Sequence, residues 1–235
     1  MSKISSMHSV LISDFVFGGI DGAVTTFAVV AGASGASLSS GVVLILGFAN
    51  LFADGFSMAT GNYLGSKSRL ELFMKIRKAE EDSVKNNPEE ERDEVIEIYK
   101  QKGFTGKILQ DTVDVITGDK NIWVDTMMKD EFGIIEEAKS PLKAAIVTFS
   151  AFNIIGVIPL LPYLFKYFVS SVSFNMFLIS TIFTSIALFL VGSIKANIVS
   201  KKWYRSGFET LLIGGAAAII AYLVGYYLRG LVRVM

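Results

Sequence analysis

The sequence predicts an all-α membrane protein, with five transmembrane helices and a cytoplasmic helical insert between the second and third. Three observations predict it. Mean hydropathy is +0.50 and only 19% of the 235 residues are charged, too apolar for an ordinary soluble domain of this length. Five segments, about 14–34, 41–64, 142–165, 172–194 and 207–228, can each cross a hydrocarbon core of ~30 Å, which takes roughly 20 residues. The chain also turns abruptly polar at Ser66 and apolar again after Ser140. The domains predicted are 1–65 (spans one and two), 66–141 (a cytoplasmic metal-binding domain) and 142–235 (spans three to five).

The first span is read as a membrane helix rather than a cleaved signal. Its apolar region is too long and contains Asp21. Most Lys and Arg fall in the segments that share a side with the N-terminus, notably 65–141 and 195–206. Lys166, Arg229 and Arg233 fall on the other side. By the positive-inside rule the N-terminus is cytoplasmic. The second span continues as a polar helix to about Lys85, since no Gly or Pro breaks it from Ser66 onward. Asn87 and Pro88 then start a helix, with Asn87 as N-cap, Pro88 first and Glu90 third in a variant capping box. It ends near Gly103. Two further helices are predicted at 106–116 and 120–132. Gly18, Gly22, Ala28 and Gly32 in span one, and Gly214 to Ala218 with Gly225 in span five, read as close helix packing.

The chain has no Cys, and its single His is His8 in the N-terminal tail. Disulfides and thiolate metal sites are therefore excluded. Any metal site must use carboxylates, amides, carbonyls or Met sulfur. No enzymatic cofactor is expected. Neither a nucleophile–base pair nor a phosphate loop is evident, and nothing points to nucleic acid.

Two constellations can carry chemistry. The first is intramembrane. Asp21 lies inside the first apolar stretch, where a carboxylate costs a few kcal/mol, so it needs a partner, a cavity or an ion. Asn50, Asp54 and Met58 recur every four residues on span two and share a helix face. Asp21 lies ~10 Å inside the start of span one and Met58 ~9 Å from the inner end of span two. The spans are antiparallel, so these two residues are predicted at similar depth. The plain alternative is that Met58 only fills space and Asp21 bonds to a neighbouring helix. Glu209 reads as reaching the interface.

The second constellation is acidic and cytoplasmic: Glu80 and Glu81, then Glu91, Glu94 and Glu97, then Met127, Met128 and Glu131. Glu91, Glu94 and Glu97 share roughly one helix face. Carboxylates joined by a thioether suit Fe2+ or Mn2+ better than Ca2+ or Mg2+. The competing reading of Glu89 to Glu91 is stabilisation of a helix dipole. A ferritin-like di-iron centre needs Glu-x-x-His pairs, and the insert has no His.

Four stretches, in order, resemble the vacuolar iron transporter family. They are Asp21-Gly22 through Phe27-Ala28-Val29-Val30-Ala31-Gly32, then Phe56-Ser57-Met58-Ala59 with Gly61-Asn62-Tyr63-Leu64. After them come Gly156-Val157-Ile158-Pro159-Leu160-Leu161-Pro162-Tyr163, and Gly215-Ala216-Ala217-Ala218 with Ala221-Tyr222 and Gly225. Met127 to Gly133 resembles the end of that family's cytoplasmic domain. The resemblance implies a five-span homodimer that exchanges cytosolic Fe2+, and often Mn2+, for protons along a pathway at the dimer interface. It also implies that Asp21 and Met58 are membrane ligands. Glu80, Glu91, Glu94 and Glu131 would be cytoplasmic ligands, with Met127 or Met128 as the sulfur. This sequence departs from the pattern at Asn50, where the family has a pathway carboxylate, and at Ser83, where it has an acid beside Glu81 and Asp82. The rival reading is a membrane-anchored metal sensor or buffer. The short N-terminal tail leans towards a prokaryotic plasma membrane, or a vacuolar one in a eukaryote.

Overall fold

The computed structural model describes residues 3–135, 140–169, 175–199 and 201–234, with side chains over 11–135, 140–169, 175–196 and 201–230. Among the described residues the chain is helical, without strands. The helices are α1 (Lys3–Gly35), α2 (Ser40–Asn86), α3 (Pro88–Gln101), α4 (Gly106–Thr117), α5 (Lys120–Asp130), α6 (Pro141–Gly156), α7 (Leu161–Phe168), α8 (Met176–Val199) and α9 (Trp203–Val234). Five segments are long and apolar enough to cross a membrane. They are Leu11–Gly35, the apolar part of Ser40–Asn86, Pro141–Phe168, Met176–Ala196 and Trp203–Gly230. The five predicted spans are therefore present. His8 belongs to α1, and its side chain, like Lys139 and the predicted start of span four at 172, lies outside the described residues.

By backbone contacts the chain divides into two compact units, Met1–Leu64 with Lys139–Met235, and Gly65–Ala138. In the first unit α1 is central. It packs against α6, α8 and α9. Small residues make this possible. A Cβ on Gly18 would sit 2.5 Å from the Thr148 carbonyl oxygen, and one on Gly22 would sit 2.3 Å from that of Phe152. Gly225 of α9 meets α1 in the same way, 2.0 Å from the Gly32 oxygen. Helices in lipid gain no hydrophobic drive from meeting each other, so this backbone approach supplies the van der Waals contact instead. The core joins Phe27, Val30, Val43, Leu51, Phe152, Leu160 and Tyr163. Ile45, Phe52, Ile154, Ile186, Leu190, Leu212 and Ile219 face outward, as hydrocarbon contact requires.

The third span is not one continuous helix. Pro159 lacks a backbone N–H, and the chain tightens into a 3-10 turn at Ile158–Leu160 before α7. The Pro159 carbonyl accepts a hydrogen bond from Ser180 Oγ of α8 at 2.7 Å. That buried hydroxyl satisfies a backbone group which a regular helix would satisfy internally.

In the second unit α2 runs unbroken to Asn86. Asn87 is the N-cap of α3 and Pro88 lies in its first turn, but no side-chain cap hydrogen bond forms. The predicted capping box is therefore absent. Asn87 has φ −130° and ψ 53°, outside the extended conformation that a capping side chain needs. The real side-chain cap is Asp119 at α5, which accepts from the N–H of Asn121 at 2.8 Å and of Ile122 at 3.2 Å. Gly103, at φ +94°, ends the turn after α3, a conformation open mainly to glycine. The unit's core is Val84, Val95, Leu109, Val113, Ile116, Trp123, Val124, Met127 and Met128.

Candidate metal pathway and acidic cluster

Two cross-helix hydrogen bonds set the register of α1 against α2. Near one end, Asn62 Nδ2 donates to Asp14 Oδ1 at 3.0 Å and to Thr148 Oγ1 of α6 at 2.8 Å. Further along, Asn50 Nδ2 donates to Thr25 Oγ1 at 3.4 Å. Thr25 Oγ1 in turn donates to the Asp21 carbonyl oxygen at 2.8 Å. At 1.5 Å per residue, Asp21 lies ~10 Å from the Asp14 level, Asp54 ~12 Å from the Asn62 level and Met58 ~6 Å from it. Asp21 is therefore level with Asp54. The predicted equal depth of Asp21 and Met58 is off by about one turn. Met58 lies nearer the Asp14 end and packs against the core.

Asn50 is thus spent on Thr25. Its amide bridges the helices where the resemblance leads one to expect a carboxylate. Asp54 is exposed on the surface of the single chain, among outward-facing Phe52 and Phe56. Asp14 is the residue that sequence reading missed. It is only 5% exposed and stands two helical turns from Asp21 on the same face of α1. Its signal was the seven-residue spacing to Asp21, masked by its position at the edge of the apolar stretch.

In the second unit the acidic residues do meet. Glu80 on α2 is 5% exposed and Glu91 on α3 is 8% exposed. Glu80 Oε1 and Glu91 Oε2 have no hydrogen-bond partner. Burial pushes the Glu80 carboxyl up to about 8, helped by the charge of Glu91, a hydrogen bond shared with Glu91, and the charges of Glu131 and Glu94. Burial also raises Glu94, with Glu91 and Glu90 adding to it. The same holds for Glu131, beside Glu94 and Glu91. Mutual repulsion of this kind is what a cation relieves. Even so, among the described residues no three carboxylates or His lie close enough to hold an ion as they stand.

The other predicted members fall elsewhere. Glu81 accepts from Arg77 Nε at 3.2 Å, and the same guanidinium reaches Asp125 of α5. Glu97 pairs loosely with Gln101 at 3.5 Å. Met127 and Met128 are fully buried members of the core, with Trp123 and Val124. Glu209, expected to reach the interface, is half exposed there. It receives Lys195 Nζ at 3.9 Å and Lys201 Nζ at 3.7 Å.

The chain as a whole is similar to known proteins. The model of the VIT family matches residues 12–226. The chain belongs to the VIT family. It is 34% identical over 232 residues to the vacuolar iron transporter of Toxoplasma gondii, covering 94% of this chain and 77% of that one. It is 32% identical to the vacuolar iron transporter of Plasmodium falciparum, covering 93% and 82%. Against vacuolar iron transporter 1 of Arabidopsis thaliana it is 33% identical, covering 90% and 84%. Membership of the VIT family and five apolar helices make this an integral membrane protein of an iron-transport family.

Proposed function

We propose that this VIT-family protein exports Fe2+, with Mn2+ as a second cargo, from the cytoplasm in exchange for protons. It works as a homodimer with a cytoplasmic N-terminus, in a plasma membrane if the cell is prokaryotic. The observation that carries the reading is that the register of α1 against α2 sets Asp21 and Asp54 at one level. Two carboxylates at that depth are expensive unless a cation or protons neutralise them. Asp54 faces outward from a single chain, and lipid cannot accept a charge there. A second copy covering this face of α2 would enclose it and make the pathway shared.

In this reading Glu80, Glu91, Glu94 and Glu131 gather divalent ions at the cytoplasmic side. An arriving cation displaces the protons that their repulsion retains. Asp14, Met58, Asp21 and Asp54 form the carboxylate and thioether ladder through the membrane. Met58 supplies the soft contact that favours Fe2+ over Mg2+. Asn50 cannot take a proton, so Asp21 and Asp54 carry the exchange. Met127 and Met128 hold the core against which Glu131 is set, and a sulfur contact from either needs that core to loosen. The likeness to proteins named vacuolar iron transporters supports the cargo.

Reconstitution in sealed liposomes tests this against the sensor or buffer reading. Fe2+ and Mn2+ should accumulate while a trapped pH dye reports protons moving the other way. Metal flux without a pH change would remove the antiport. Saturable metal binding by a folded protein with no flux would leave only the buffer.

A further inference from the structure

The junction of α8 and α9 carries a charged patch that the transport reading does not use. α8 ends at Val199 and span five begins at Trp203, so Lys201 and Lys202 lie where hydrocarbon meets headgroups. Lys201, Lys202, Trp203, Tyr204 and Arg205 run consecutively and are all exposed. Trp203 is 59% and Tyr204 39% accessible. The two rings are not loose. Trp203 packs edge-on against Phe189 of α8 at 5.9 Å and against Tyr204 at 5.9 Å, and Phe189 packs in turn on Phe208 at 5.2 Å. Four aromatic rings from two helices thus form a fixed shelf.

The charges sort themselves around it. Glu209 takes Lys195 and Lys201. Lys202 and Arg205 have no ion-pair partner among the described residues. The carbonyl of Lys202, just before α9, accepts from the N–H of Arg205 at 3.0 Å, so the two cations sit together at one end of that helix. Cations at this depth, next to rings that prefer the interface, match the phosphate and glycerol region of a lipid leaflet.

We propose that this junction binds the headgroup of an anionic phospholipid. Lys202 and Arg205 meet the phosphate, and the Trp203–Phe189 shelf lies along the glycerol and upper acyl chain. The site is independent of the metal pathway, and its test does not require transport.

Trp203 is its own reporter, since the only other Trp is Trp123 in the second unit. The full chain is placed in phosphatidylcholine bilayers with a small fraction of brominated lipid, either phosphatidylglycerol or phosphatidylcholine. Brominated phosphatidylglycerol should quench more strongly at equal mole fraction, with an association ratio of about thirtyfold, the effect of two interfacial cations. Trp203→Phe should remove the difference. Lys202→Gln with Arg205→Gln should bring the ratio to about one. If that variant fails to insert, salt tests the unchanged protein, where raising NaCl from about 0.1 M to about 1 M should collapse the ratio as screening shortens from ~10 Å to ~3 Å. Equal quenching by the two lipids in the unchanged protein would overturn the proposal. So would a difference that survives Trp203→Phe. A ratio abolished by millimolar inorganic phosphate at constant ionic strength would reassign the patch to a soluble anion.

Discussion

Asn62 holds Asp14. Its amide nitrogen lies 3.0 Å from the Asp14 carboxylate and, through a second N–H, 2.8 Å from the buried hydroxyl of Thr148. One side chain on α2 therefore ties α1 to α6 at the end of the bundle where the candidate pathway starts. Asn62→Leu keeps the bulk and removes both donors. A buried acceptor losing its donor costs ~1–3 kcal/mol. The detergent-solubilised variant is expected to unfold at a lower temperature, and Asp14→Asn in addition should recover part of the loss by removing the charge. An unchanged melting temperature in Asn62→Leu would show that the clasp contributes nothing.

The register set by that clasp puts Asp21 level with Asp54. Asp21→Asn keeps the shape and loses the charge. Metal flux in liposomes should fall ten- to a hundredfold, the scale of a charge-assisted contact of ~1.5–3 kcal/mol. Asp54→Asn should do the same. Asn50→Ala should cost far less, because Asn50 serves Thr25 rather than the ion. Flux equal to the parent from a folded Asp21→Asn protein would remove it from the pathway.

The acidic cluster makes metal binding depend on pH, and the sign follows from Glu80. Its folded-state pKa is raised from 4.5 to about 8, so the folded protein holds a proton that the unfolded chain has already released. That contribution to stability is fully present below about 4.5 and is lost as pH rises through about 8. Cations compete with the same proton. Fe2+ or Mn2+ affinity should therefore rise between pH 6 and pH 8, with proton release seen by calorimetry in two buffers of different ionisation enthalpy. Glu80→Gln should flatten the pH dependence and stabilise the metal-free protein at pH 8. A pH-independent affinity in the unchanged protein would separate the cluster from metal.

Met58 sits about one turn from the Asp21–Asp54 level, against the core. Met58→Leu conserves volume, so stability should change by less than ~1.5 kcal/mol. If its sulfur meets the ion, the variant should lose much of the preference for Fe2+ over Mg2+ in competition assays while Mg2+ inhibition strengthens. The same competition curve before and after substitution would make Met58 a packing residue.

The sequence by itself determined the helical class and the five spans, because hydropathy over twenty residues is a local property that the bilayer reads directly. It also determined where the insert's helices lie, through signals such as Pro88 and Gly103, and which residues could be ligands, since a chain without Cys and with one His leaves few candidates. Some things only the tertiary structure decided. How the break at Pro159 is held was not legible, because it depends on Ser180 of another helix, 21 residues away, donating to the Pro159 carbonyl. The depth of Met58 came out wrong because counting from the ends of two apolar stretches ignores their register, which Asn62 and Asn50 fix through partners on α1. Glu80 and Glu81 are neighbours and look equivalent in sequence. A 100° rotation about the helix axis buries one against Glu91 and hands the other to Arg77. Asp14 and Asp54 differ in the same way: one is buried and bonded to Asn62 of α2, the other faces out from α2. Composition names the groups that can bind a cation, but only packing decides which are desolvated together, and shared desolvation gives a carboxylate an affinity for a metal ion or a proton.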